Sequence, residues 1–155
     1  DQFQYHVAVM SALSMCSRIF ISHDAGDPFL ELAAAQIVRD LPNLSRDRSS
    51  VDYYYWYYGS LALNQLDGPD SPQHSGKYWG PWNKAMVDSL LGLQERGEKT
   101  CPHGGWLVAD RWSYAGGPLY ATALNVLTLE VYYRYENAFG VPRAARQGPQ
   151  DVRVK

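Results

Sequence analysis

Apolar residues recur at helical spacing in five segments of the chain, separated by loops rich in Gly, Pro and Ser. The first and fifth segments are apolar around most of their circumference, whereas the second and fourth are apolar on one side only. The third contains an unbroken run of aromatic residues, 53–58, followed by a turn rich in Ala and Leu. These patterns predict an all-α protein with about five main helices. The predicted helices cover about residues 4–21, 27–41, 50–66, 80–94 and 117–140.

Residues that typically start or end helices support several of these boundaries. Asp27 and Pro28 form a typical helix start, because Asp caps the free backbone N–H groups and Pro fits the first turn. Pro42 predicts the end of that helix. The run 67–76, with its Gly, Pro and Ser residues, is predicted to be a loop.

The alternation of buried and amphipathic helices predicts stacked helical hairpins, with an inner and an outer layer. In such an arrangement each hairpin buries its apolar face against its neighbours. The repeat period is about 50 to 60 residues. We therefore expect one repeat domain over residues 1–140. The remaining 141–155 has charge, Gly and Pro but little apolar content, and we expect a mobile tail there.

Charge and composition exclude several classes of function. The net charge is −2 and no basic stripe is present, so we expect no nucleic-acid partner. The longest apolar stretch, 7–21, is short and contains Arg18, so no membrane span is predicted and we expect a soluble protein. Cys16 and Cys101 do not suggest a disulfide framework and do not indicate a cellular compartment.

Three motifs in the second half resemble the repeat of squalene cyclases and prenyltransferase β subunits. Residues 85–94 form a helix that ends in Gln94, a turn carries Gly104, Gly105 and Trp106, and a helix with the run 120–124 follows. The aromatic run 53–58 and the residues 131–135 also resemble uncharacterised bacterial proteins built from such repeats. In that family the Gln and Trp tie neighbouring helices together.

The resemblance implies a partial α/α toroid. A closed ring contains about six hairpins, so five helices would be part of a ring, and we expect the chain to be the last part of a longer protein. Apolar helix faces at an open end would be uncovered and would mark an interface. The expected partner is a missing part of the same chain or a second copy in a homo-oligomer.

The resemblance also implies where a ligand would lie, namely at the first turns of the inner helices. A cavity there would hold an apolar, isoprenoid-like small molecule, with tyrosine hydroxyls fixing its orientation. Core and hairpin packing of the aromatic rings is the preferred interpretation, and the ligand cavity is the alternative. Mapped onto this chain, the candidate ligand-binding residues are Tyr5, His6, Asp52, Tyr53, Tyr54, Trp112, Tyr120 and Thr122.

Motifs that would supply catalysis are absent from the sequence. There is no Asp-x-Asp-Asp and no Asp-Asp-x-x-Asp, and Asp67-Gly-Pro-Asp70 is interpreted as a turn. Cys101 and His103 lie close together, with His74 in another loop, but zinc needs three or four ligands. We therefore predict neither a metal nor a cofactor.

Three functions follow in order of preference. The first is a non-catalytic binding or interaction module with an aromatic concave surface. The second is a terpenoid cyclase or prenyltransferase-like enzyme domain whose acid or metal site lies partly outside this chain. The third is a carbohydrate-active toroid, which would need a carboxylate pair, and Asp52 and Asp110 are the residues that offer one.

Overall fold

The computed structural model describes residues 4–44, 50–97 and 103–139, with side chains in the first helix from Val7 onwards. These residues contain no strand beyond one isolated bridge between Gln94 and Trp106, so the predicted all-α class is confirmed. The chain forms six helices over the described ranges. They are α1 (Gln4–Ser22), α2 (Pro28–Ile37), α3 (Tyr53–Asp67), α4 (Trp79–Leu93), α5 (Ser113–Leu129) and α6 (Val131–Arg134).

Helix α3 is the centre of the molecule. It packs against α1 on one flank and α5 on the other, while α2 lies on α1 and α3 and α4 lies on α3. Helices α1, α3 and α5 therefore form a row, and α2 and α4 lie against that row. We call the side of α3 that faces α4 its outward side and the opposite side its inward side.

The outward side of α3 is closely packed. Gly59 lies against the Trp82 ring of α4, so closely that a β-carbon on Gly59 would be 2.4 Å from the ring. The Trp82 indole N–H donates a hydrogen bond to the Ser60 hydroxyl at 2.9 Å. The Tyr55 ring meets the Trp82 ring edge-on at 5.3 Å between centroids. All four residues are buried, so α3 and α4 are held at a fixed separation.

The turn after α3 is organised by the buried carboxylate of Asp67. Its Oδ1 accepts hydrogen bonds from the Ser75 and Gly76 amides, and its Oδ2 accepts from the amides of Tyr78 and Trp79, where α4 begins. Burial raises the pKa of Asp67, but a hydrogen bond from the Ser75 hydroxyl, together with the bonds from the Tyr78, Trp79 and Gly76 amides, outweighs it and holds the pKa below its usual range. The predicted turn thus contains a charged residue that fixes the start of α4.

Two predicted helix ends were wrong. Helix α2 ends at Ile37, four residues before the predicted end, and the Tyr55 hydroxyl lies 2.9 Å from the Ile37 carbonyl oxygen and 3.0 Å from that of Asp40. The buried hydroxyl satisfies carbonyls that a longer helix would have used itself. The predicted fifth helix breaks at Glu130, and after α6 the chain turns back across α3.

Helix α5 also contains a kink. Gly117 has φ 72°, which only glycine adopts readily, and Pro118 follows it. The main part of the helix thus begins at the predicted position, preceded by one additional turn from Ser113. The proline fits because it stands at the first position of the second part.

The expectation that α1 and α5 are buried all round was wrong. Both helices are apolar around most of their circumference, yet each exposes large apolar residues. Helix α3, which has neighbours on both flanks, buries most of its residues and leaves Tyr54, Tyr57 and Tyr58 half buried. Among the described helices none is both long enough and apolar enough to cross a membrane. The predicted tail and Cys101 lie outside the described residues.

Candidate functional site

Aromatic rings meet where α3 and α5 begin. The Tyr54 ring lies 4.8 Å from the Tyr58 ring and 5.8 Å from the Trp112 ring, measured between centroids. Tyr120 is close enough to this group that burial and the charges of Asp110 and Asp52 raise its pKa to about 12. The Tyr120 hydroxyl is therefore a neutral hydrogen-bonding group at physiological pH.

The same end of α3 carries the half-buried carboxylate of Asp52. It caps the helix by accepting a hydrogen bond from the Tyr55 amide at 2.9 Å. Burial, aided by the negative charge of Asp110, raises the pKa of Asp52 in spite of that bond and the nearby Arg111. Asp52 thus stands beside the aromatic rings as a weaker acid than a carboxyl group in water.

Asp110 is buried, and its carboxylate oxygens accept hydrogen bonds from backbone amides. Its Oδ1 accepts from the Ser113 amide at 2.8 Å, and the Ser113 hydroxyl in return accepts from the Asp110 amide at 3.1 Å. Its Oδ2 accepts from the Tyr53 amide at 3.0 Å, so one side chain joins the starts of α5 and α3. Both oxygens are occupied away from solvent, which disfavours a catalytic pair of Asp52 and Asp110.

The rings continue along the inward side of α3. Tyr58 lies 5.0 Å from Tyr57, whose hydroxyl is hydrogen-bonded to that of Tyr135 at 2.9 Å. The Tyr135 ring in turn lies 6.1 Å from Phe20 of α1. We call this continuous, partly exposed series the aromatic strip. It consists of Trp112, Tyr54, Tyr58, Tyr57, Tyr135 and Phe20.

The segment that brings Tyr135 to the strip is fastened to the end of α3 by Gln65. The buried Gln65 amide donates to the Glu136 carbonyl at 3.2 Å and accepts from the Ala138 amide at 2.7 Å. His23, at the end of α1, donates to the Ala138 carbonyl oxygen. Residues 135–139 therefore lie over the end of the inward side that is farther from Asp52. At the end nearest Asp52, Tyr54 is half buried and Trp112 is 45% exposed among the described residues.

The sequence-predicted site residues divide into three groups. Tyr54, Trp112, Tyr120 and Asp52 lie together. Tyr53 and Thr122 point elsewhere: the Tyr53 ring is buried against Trp56 at 5.7 Å, and the Thr122 hydroxyl accepts a hydrogen bond from the Trp106 amide. Tyr5 and His6 are in the first turn of α1, and their side chains lie outside the described part of the structure.

Tyr57 and Tyr58 were not among the predicted site residues, although their helical spacing from Tyr54 puts all three on one face of α3. Their spacing was the signal that could have included them. Tyr135 was missed because it reaches the strip through the path of the chain after α6. Phe20 of α1 was missed because it joins the strip only through its contact with Tyr135. Cys16 is also adjacent: it donates from Sγ to the Tyr58 carbonyl at 3.3 Å, and burial raises the pKa of its thiol to about 12.

The turn between α4 and α5 is tied to both helices. The Gln94 side-chain amide donates to the Gly104 carbonyl at 2.9 Å. The buried Trp106 indole N–H donates to the Leu90 carbonyl at 2.9 Å and thus caps the end of α4. Through its backbone contact with Thr122, Trp106 also fixes α5.

Metal ligands are not gathered in the described part of the chain: it contains no group of three or more His, Cys, Asp or Glu side chains that could hold a metal ion. His103 is exposed, and its neighbour Cys101 lies outside the described residues. Comparisons with protein-family models, with curated proteins and with solved structures gave no match in any of the three. A proposal of function for this chain therefore depends on its helices and on the aromatic strip.

Proposed function

We propose that this chain is a non-catalytic binding module whose aromatic strip holds an apolar, isoprenoid-like small molecule. The observation that carries the proposal is the cluster of partly exposed rings at the start of α3, where Tyr54 and Tyr58 are half buried and Trp112 is 45% exposed. Tyr120 lies beside them. Rings that are half exposed retain apolar area that a ligand would remove from water. A neutral Tyr120 hydroxyl supplies a polar group to orient the ligand.

Two features favour binding over catalysis. Asp110 has both oxygens committed to backbone amides, and Asp52 uses one oxygen to cap α3. Both carboxylates lie just before the start of a helix, where the positive end of the helix favours a negative charge.

The proposed family is that of squalene cyclases and prenyltransferase β subunits, with a partial α/α toroid as the architecture. The row of α1, α3 and α5 with α2 and α4 against it supports this proposal. So does the Gln94 and Trp106 turn, which ties α4 to α5 as the family's Gln and Trp do. The expected interface with a further part of the chain or a second copy belongs to the same proposal.

Binding is tested by native mass spectrometry of the protein titrated with farnesol, a fifteen-carbon isoprenoid alcohol. We expect saturable one-to-one binding, and we expect the Trp112→Ala variant to bind at least about tenfold more weakly because it loses ring surface at the rim. Tyr114→Ala is the matched control, since Tyr114 is 78% exposed and lies two residues away, outside the strip. Absence of saturable binding, or equal weakening in both variants, would refute the proposal.

A second candidate is a terpenoid cyclase-like enzyme, and the raised pKa of Asp52 beside aromatic rings is the observation that favours it. Such an enzyme protonates an alkene with a carboxylic acid. Incubation with squalene and analysis of products by gas chromatography would reveal cyclisation. Turnover that is lost in Asp52→Asn would establish the enzyme, and absence of any product would leave the binding module.

A further inference from the structure

Two carboxylates lie at the end of the aromatic strip where α3 and α5 begin. Asp52 comes two residues before Tyr54, and Asp110 comes two residues before Trp112. The two helix starts are joined because the Asp110 carboxylate accepts a hydrogen bond from the Tyr53 amide at 3.0 Å. Two acidic groups and two rings of the strip therefore belong to one joint, which we call the acidic end of the strip.

Negative charge at the acidic end extends beyond the two carboxylates themselves. Burial, and then the charges of Asp110 and Asp52, raise the pKa of Tyr120 to about 12, so both charges act on its hydroxyl group although each lies at a helix start. Burial, and in smaller part the charge of Asp110, raises the pKa of Asp52 as well, because like charges repel. A cation at this end would be attracted by both carboxylates and would reduce the repulsion between them.

Arg111 supplies one positive charge at the same place. It is exposed, and its guanidinium lies 4.9 Å from the centroid of the Trp112 ring. One guanidinium against the carboxylates of Asp52 and Asp110 leaves an excess of one negative charge among these three side chains. The position of Arg111 also shows that a cation can lie over the Trp112 ring.

The rings at the acidic end do not spend their faces on one another. The Tyr54 ring is tilted by 59° to the Tyr58 ring and by 46° to the Trp112 ring, so neither pair is a face-to-face stack. Tyr54 and Tyr58 are half buried, and Trp112 is exposed. Because the face of an aromatic ring is its negative part, partly exposed rings beside carboxylates favour a cationic ligand group over a neutral one.

The available oxygens decide which kind of cation fits. Both oxygens of Asp110 accept from backbone amides, and one oxygen of Asp52 accepts from the Tyr55 amide. A metal ion needs several ligands, and the described residues contain no group of three side chains that could supply them. A primary ammonium group likewise has three N–H donors to satisfy. A quaternary ammonium group has none, and it is held by ring faces and by charge at a distance.

We infer that the ligand of the aromatic strip carries a quaternary ammonium head group, which binds at the acidic end against Tyr54 and Trp112. Its apolar tail extends along the strip toward Tyr58. This inference rests on the proposed function, since it assigns the charged end of the ligand whose apolar part the strip holds. The excess negative charge at one end of the strip then sets the direction in which the ligand lies.

The test compares farnesol with farnesyltrimethylammonium, which has the same tail and a trimethylammonium group in place of the hydroxyl. Isothermal titration calorimetry of the full chain, at one fixed salt concentration, gives a Kd for each compound. We expect the ammonium compound to bind about tenfold more tightly than farnesol. The quantity compared among variants is the ratio of the two affinities, because a general weakening of the strip cancels in it.

Two variants should change this ratio in opposite directions. Asp52→Asn removes one negative charge and should lower the preference for the ammonium compound about fivefold. Arg111→Gln removes the competing positive charge and should raise the preference about twofold, a gain that an unfolded variant could not produce. Asp88→Asn is the matched control, since it removes the same charge from an exposed position on α4 and should leave the ratio at the wild-type value.

The outcomes separate this inference from the proposed function. Saturable binding of farnesol with an ammonium compound that binds no more tightly would overturn the inference and leave the proposed function in place. Equal loss of preference in Asp52→Asn and Asp88→Asn would also overturn it, because the attraction would then come from the net charge of the protein. Absence of saturable binding for both compounds would refute the proposed function itself.

Discussion

Both sides of α3 carry aromatic residues, but the two sides differ in how deeply these residues are buried. On the outward side, Tyr55 and Trp56 are buried and Trp82 of α4 fills the space over Gly59. On the inward side, Tyr54, Tyr57 and Tyr58 are half buried, and their neighbours are other aromatic rings.

The difference shows that an aromatic residue does not by itself indicate either core or binding site. What decides is whether a neighbouring helix covers the ring. Helices α4 and α2 cover the outward side, whereas on the inward side residues 135–139 cover only the end farther from Asp52. The partly exposed end of the inward side nearest Asp52 is for that reason the candidate ligand surface.

The largest effect is expected where the outward side is most closely packed. Gly59→Ala places a β-carbon 2.4 Å from the Trp82 ring, which is fully buried and has no room to move. We expect the free energy of unfolding to fall by about 3 kcal/mol, measured by urea denaturation. Gly92→Ala is the matched control, since its new methyl meets only the terminal carbon of the exposed Leu44, at 3.2 Å. Equal losses of unfolding free energy in both variants would contradict the close packing of Gly59 against Trp82.

Removing one hydroxyl from each side compares the two sides directly. In Tyr55→Phe the carbonyls of Ile37 and Asp40 lose a buried hydrogen-bond donor, and we expect a loss of about 2 kcal/mol. In Tyr57→Phe the lost partner is the half-buried Tyr135 hydroxyl, and we expect less than about 1 kcal/mol. Chemical denaturation of both variants measures the difference. Similar values at the two positions would mean that burial does not separate the two sides of α3.

The face of α5 that is buried in the molecule contains a polar side chain without hydrogen bonds to other described residues. Asn125 is fully buried, and neither polar atom of its side chain has a hydrogen-bond partner among the residues that the structure describes. Because an unpaired buried amide is costly, Asn125→Leu is expected to stabilise the protein by about 1 kcal/mol, seen as a higher Tm. Asn83→Leu should have the opposite sign, since Asn83 accepts a hydrogen bond from Tyr132. A lower Tm for Asn125→Leu would indicate that the amide does have a partner.

The smallest expected effect concerns pH at the start of α3. The pKa of Asp52 is raised above its ordinary value of 3.8, so the folded state binds this proton more tightly than the unfolded chain. A destabilising contribution therefore develops as pH rises through 3.8 and the higher folded pKa, and it is absent below them. Asp52→Asn keeps an oxygen to accept from Tyr55 but does not ionise. We expect its stability relative to wild type to increase between pH 3 and pH 7, by less than about 1 kcal/mol.

Denaturation of both proteins at pH 3 and pH 7 measures this change. Other carboxylates, such as Asp67, titrate in both proteins and cancel in the difference. A relative stability that is lower at pH 7 than at pH 3 would show that the pKa of Asp52 is depressed. The hydrogen bond from the Tyr55 amide would then lower the pKa of Asp52 by more than burial raises it.

Local sequence determined the helices and the separation of the two sides of α3. Hydrogen bonds within a helix connect residues four apart, so the periodicity of Tyr54, Tyr58 and Gly59 along the chain predicts which side chains share a face. The start of α2 at Asp27 and Pro28 was predictable for the same reason, because a helix cap involves only neighbouring residues.

Tertiary structure decided which helix ends meet, and thereby the site. Asp110 accepts from the Tyr53 amide across 57 residues of sequence, so its role as a joint between α5 and α3 has no local signal. Tyr135 reaches the aromatic strip because Gln65 binds residues 136–138, and this contact also explains why the predicted fifth helix was too long. Periodicity specifies the direction of a side chain on its own helix, but burial depends on what other segments of the chain place over it.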